Sequence, residues 1–120
     1  MRFNSFGPAF AVAATVVMAA GAVSAHARLV SSTPAANTTV PAPGSIALVF
    51  SERMVPAFST FEVVSSVGQK PSIRTAVSRD GHSITGRPAS PLLAGAYTVT
   101  WRAASSDGHR MTGSYAFNVR

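Results

Sequence analysis

The chain beyond residue 25 predicts an all-β fold, two packed sheets with Greek-key connections. Three observations carry that expectation. Apolar residues recur with period two, turn residues interrupt them at short intervals, and no segment carries a sustained helical stripe. Alternation of this kind marks half-buried antiparallel strands, because successive side chains point to opposite faces of a sheet. Several short strands with such turn spacing are the pattern of a β-sandwich.

The elements follow in order. Pro41-Ala42-Pro43-Gly44 precedes the first clear strand, in which Ile46, Leu48 and Phe50 alternate with Ala47 and Val49. In the next, Phe61 and Val63 alternate with Glu62 and Val64, before a break at Val67-Gly68-Gln69-Lys70-Pro71. Asp80-Gly81 has the residues that a tight hairpin turn requires. Pro88 to Gly95 reads as a longer loop. Tyr97, Val99 and Trp101 then alternate with Thr98, Thr100 and Arg102, which makes Trp101 a core residue. Leu92-Leu93-Ala94-Gly95-Ala96 places Tyr97 like a tyrosine corner, its hydroxyl bonded back to the loop backbone. Ser106-Asp107-Gly108 turns into the last strand, where Tyr115, Phe117 and Val119 face inward.

Residues 1–25 read as a cleaved signal peptide. Arg2 is a small positive start, Phe6 to Ala20 is almost wholly apolar, and Val23-Ser24-Ala25 fits a small-residue cleavage site. The competing reading is an uncleaved anchor, since the apolar stretch is nearly long enough to span a bilayer. Cleavage leaves residues 26–120 as one small exported domain, periplasmic or otherwise extracytoplasmic, soluble and monomeric. The chain has no cysteine, which excludes disulfides and any thiolate metal site. Its formal net charge is +6, and +5 once Arg2 is lost. The cations are scattered from Arg28 to Arg120 without a cluster or basic helix, so they read as a solubilising surface and not as a nucleic-acid footprint.

Cleavage after Ala25 puts His26 at the mature N-terminus, with a free α-amine. Amine and imidazole Nδ1 of one such residue can close a chelate ring on a metal. Cu(II) suits the pair, since it prefers square-planar or tetragonal nitrogen and oxygen donors. Asp107-Gly108-His109 supplies a carboxylate and a second imidazole. On an extended segment, residues two apart share a face, so both could reach one ion. A related stretch lies 27 residues upstream: Asp80-Gly-His82-Ser-Ile-Thr-Gly86 parallels Asp107-Gly-His109-Arg-Met-Thr-Gly113. His82 is expected to be an exposed turn residue outside the main site.

These residues, taken together, resemble the CopC family of exported copper-binding proteins. The likeness runs from His26 to Arg120. It rests on His26-Ala-Arg-Leu29-Val-Ser-Ser-Thr-Pro34-Ala, on Ile46-Ala-Leu-Val-Phe-Ser-Glu52, and above all on Gly95-Ala-Tyr97-Thr-Val-Thr-Trp101-Arg-Ala-Ala-Ser-Ser-Asp107-Gly-His109, continuing through Gly113 to Phe117-Asn-Val119. The resemblance implies an immunoglobulin-like β-sandwich or barrel with a Cu(II) site at one end. It assigns the ligands to His26, Asp107 and His109, with Glu52 as a candidate axial or outer group. It also implies a CopD-like inner-membrane copper transporter as partner. Some members carry a Met-rich loop for Cu(I), which favours soft thioethers. Beyond residue 25 this chain keeps only Met54 and Met111, so it reads as a Cu(II)-only member in which Met111 packs in the core or at its rim.

The expected function is therefore sequestration or carriage of Cu(II), without catalysis. Two other classes share some of the features. A histidine-brace oxidative enzyme also uses an N-terminal His, but Asp107 would occupy a coordination position and the small chain leaves little room for a substrate platform. A structural or interaction sandwich would use none of these donors.

Overall fold

The structure is a computed structural model in which residues 27–120 are described. The expected signal peptide, residues 1–25, and His26 lie outside the described residues. The described chain forms eight strands: β1 (Leu29–Thr33), β2 (Thr39–Val40), β3 (Ile46–Phe50), β4 (Thr60–Ser65), β5 (Ile73–Val77), β6 (Ser83–Pro88), β7 (Gly95–Ala104) and β8 (Arg110–Val119). A single turn of 3-10 helix, Pro56–Phe58, joins β3 to β4. Among the described residues no helix is long and apolar enough to cross a membrane.

The strands build two four-stranded sheets, ordered β1-β3-β6-β5 and β2-β8-β7-β4. The connections β3–β4 and β6–β7 both cross between sheets, while β3 pairs with β6 and β4 pairs with β7. Those interlocked crossovers make the expected Greek-key sandwich. The pairings are antiparallel except for β2 with β8, a parallel contact of two residues.

The expected alternations become the core. Ile46, Leu48, Phe50, Phe61, Val63, Tyr97, Val99, Trp101, Phe117 and Val119 are all buried. Phe50 and Trp101 meet edge to face across the sheets, with centroids 5.1 Å apart and an interplanar angle of 78°. Such a pair is worth about 0.5–1.5 kcal/mol beyond its buried area. The Tyr97 hydroxyl donates to the carbonyl of Leu93 at 2.7 Å, the predicted tyrosine-corner bond.

Strands β1, β2 and β5 carry no strong alternation because they lie at sheet edges and bury only part of one face. β6 is central yet weakly patterned, since only Ile84 and Gly86 in it are buried. Gly86 admits a close approach: a Cβ there would lie 2.5 Å from Phe61 Cζ and 2.7 Å from Ile73 Cγ2. Chain topology also sets the site. The end of β3, the end of β7, the start of β8 and the β5–β6 turn all meet at one end of the sandwich.

Candidate metal centre

The segment that follows β3, residues 51–55, lies between the start of the described chain and the β7–β8 turn. On one flank, Arg28 N–H donates to Ser51 Oγ at 3.0 Å, and Ser51 N–H donates back to the Arg28 carbonyl at 3.0 Å. Ala27 is buried within the core cluster, so the chain enters the fold anchored at this end. On the other flank, Met54 and Ser105 form a bridge, Val55 N–H donates to Ala104 O at 2.8 Å, and Ser106 N–H donates to Arg53 O at 3.0 Å. Glu52 sits half-buried between these two sets of bonds. Its carboxylate has no hydrogen bond or ion pair among the described residues.

The β7–β8 turn is a closed unit. Ser105 N–H donates to His109 O and Gly108 N–H donates to Ser105 O, both at 2.9 Å. Gly108 adopts φ +96°, a conformation that glycine reaches without Cβ strain. Three donors converge on Asp107 Oδ1: the Ser105 hydroxyl, the His109 N–H at 3.2 Å and His109 Nδ1 at 3.0 Å. The Ser105 hydroxyl, aided by the His109 ring and N–H, lowers the Asp107 carboxyl to about 2. A neutral imidazole that donates through Nδ1 keeps its lone pair on Nε2, the form a metal binds.

Asp107 and His109 thus come together, though not as an extended segment presenting one face. They belong to a turn, and the positive φ of Gly108 folds the ring back onto the carboxylate. Their side chains remain 41% and 51% exposed, respectively. Glu52 occupies the adjoining segment, and His26 lies outside the described residues. Met54 is buried, and Met111 is partly buried against the core, as expected of packing residues.

His82 corrects one expectation. It is half-buried and not simply exposed, and its Nδ1 lies 3.3 Å from the carbonyl of Phe50. Its turn copies the other. Ser78 Oγ donates to Asp80 Oδ1 at 2.6 Å, His82 N–H donates to the same oxygen at 3.0 Å, and Gly81 has φ +83°. The Ser78 bond leads the causes that lower the Asp80 carboxyl. The two rings differ in partner: His109 faces its own Asp, whereas His82 faces backbone. The sequence motif begins two residues earlier than Asp-Gly-His, at Ser78 and Ser105. That shared serine was available in the sequence as an extension of the repeat, and it is the component that the Asp-Gly-His reading missed.

Fold and site define a small sandwich domain that presents an oriented carboxylate–imidazole pair at one end, near Ala27, where the described residues begin. Residues 29–120 match the family described as CopC domain, and the chain belongs to that family. It is 47% identical over 103 residues to copper resistance protein C of Pseudomonas syringae pv. tomato, covering 80% of this chain and 82% of that one. The crystal structure of PcoC, a methionine-rich copper resistance protein from Escherichia coli, superposes with a TM-score of 0.74 at 39% identity, covering 80% of this chain and all of that one. CopC from Methylosinus trichosporium OB3b gives 0.72 at 32% identity, over 78% and 93% of the two chains.

Proposed function

We propose that residues 26–120 form an exported, non-enzymatic carrier that sequesters Cu(II) for copper resistance or homeostasis. The amine and imidazole of His26, the imidazole of His109 and the Asp107 carboxylate would hold the ion, with Glu52 as a further or outer group. The observation that carries this reading is the convergence of Arg28, near the start of the described residues, and the Asp107–His109 turn on the segment after β3. Ala27, the first described residue, is buried in the core at that end. The names of the relatives, copper resistance proteins, support the same cargo.

Nitrogen-rich donors favour Cu(II) over Zn(II) in the usual affinity order. Beyond residue 25 only Met54 and Met111 remain, neither in a loop cluster, and they offer little to Cu(I). A periplasmic location follows from the signal peptide, and handover to a CopD-like membrane protein is the transfer such a carrier serves. The test is Cu(II) titration of the protein beginning at His26, read by electron paramagnetic resonance and Trp101 emission. One equivalent binds. Asp107→Ala and His109→Ala each weaken binding by about tenfold or more, whereas His82→Ala leaves it unchanged. Equal losses in all three variants would refute the assignment.

A further inference from the structure

We infer that Ser105 is a positioning residue that fixes the Asp107 carboxylate for metal, a role that rests on the functional proposal above. Ser105 is fully buried, one of only two polar residues buried in the described core. Its backbone closes the turn by bonding to His109 O and Gly108 N–H, and its position is held from below by the bridge to Met54, itself 2% exposed. From that fixed base its hydroxyl donates to Asp107 Oδ1.

Among the described residues, every hydrogen bond that Asp107 accepts falls on Oδ1, and none falls on Oδ2. One oxygen is therefore tied into the protein by three donors, and the other is the metal-facing atom. The Ser105 hydroxyl comes from the buried side of the turn, while both other donors belong to His109. Of the three, Ser105 alone stays in place independently of how His109 engages the ion. Outer groups of this kind orient ligands, and their loss commonly costs 10–100-fold in metal affinity.

The fold supplies its own control. Ser78 makes the same bond to Asp80 in the twin turn, but Ser78 is half-buried and its neighbour His82 turns to backbone. Ser78→Ala therefore reports the cost of losing such a bond in a turn that carries none of the proposed ligands. The experiment compares wild type, Ser105→Ala, Ser105→Thr and Ser78→Ala, all beginning at His26, with folding checked by circular dichroism. Cu(II) affinity and the electron paramagnetic resonance spectrum are the readouts.

Ser105→Ala is expected to bind 10–100-fold more weakly, with altered g and hyperfine values. Ser105→Thr, which keeps the hydroxyl, restores the wild-type spectrum, and Ser78→Ala binds as wild type does. Unchanged affinity and spectrum in Ser105→Ala would overturn the positioning role alone. So would equal losses in the Ser105→Ala and Ser78→Ala proteins. Wild-type protein that takes up no copper would overturn the functional proposal and the positioning role with it.

Discussion

The twin turns allow a controlled test of how backbone conformation builds the candidate metal centre. Gly108 and Gly81 have φ +96° and +83°, where an L residue is strained. Alanine in a left-handed conformation costs about 1–2 kcal/mol. At position 108 a Cβ meets nothing within 4 Å, so that strain is the whole effect. At position 81 the Cβ would stand 2.5 Å from Arg53 Cγ, near the root of a side chain whose guanidinium also donates to Asp80 O at 3.2 Å. Overpacking of this kind adds about 1–3 kcal/mol. For a domain of this size each kcal/mol shifts Tm by about 4–8 °C. Gly108→Ala should therefore lower Tm by roughly 4–16 °C, and Gly81→Ala by more. Copper binding should reverse the order, because Gly108 holds His109 Nδ1 at 3.0 Å from Asp107 and Gly81 serves only the other turn. Thermal melts of the copper-free proteins and Cu(II) titrations at a temperature where both are folded give the two rankings. A Gly108→Ala protein as stable as wild type, or one more destabilised than Gly81→Ala, would refute the reasoning.

Two further outcomes follow from the geometry. The Asp107 carboxyl is lowered from 3.8 to about 2 in the folded protein, so it binds its proton less readily there than in the unfolded chain. Its contribution to stability is present above about pH 4 and is lost as pH falls through about 2. Denaturation of wild type and Asp107→Asn from pH 6 to 2 should show a difference that is constant down to about pH 4 and then shrinks; a difference that grows in acid would contradict the sign. Copper binding must still weaken between neutral pH and pH 4, because nitrogen donors compete with protons while Asp107 stays ionised. Tyr97→Phe removes the bond to Leu93 O at the far end of β7 and should cost about 0.5–1.5 kcal/mol in denaturant melts, with copper affinity unchanged.

The sandwich was legible wherever a strand buries one face completely. Ile46, Leu48 and Phe50, or Tyr97, Val99 and Trp101, alternate because every second side chain faces the opposite sheet. β1, β2 and β5 were not legible, since none of their residues is fully buried and nothing enforces a period. β6 was hidden by Gly86, a residue chosen for the Phe61 ring and not for propensity. At the candidate site, Asp107 and His109 do come together, but for a different reason. A turn that depends on one positive φ replaces the shared face of an extended strand. His82 looked exposed because sequence does not reveal that the Phe50 carbonyl lies across from it. Ser105 escaped notice because a serine in a small-residue run gives no sign that it will be wholly buried beneath a carboxylate.

The central claim is that the mature N-terminus supplies the copper chelate. It is tested most directly by Cu(II) titration of two proteins that differ by one residue, one beginning at His26 and one with a single Gly placed before it. One-to-one binding that the added Gly weakens severely, with loss of the nitrogen-rich spectrum, is the predicted result. Equal affinity and identical spectra in both proteins would contradict it, and would remove the amine of His26 from the site.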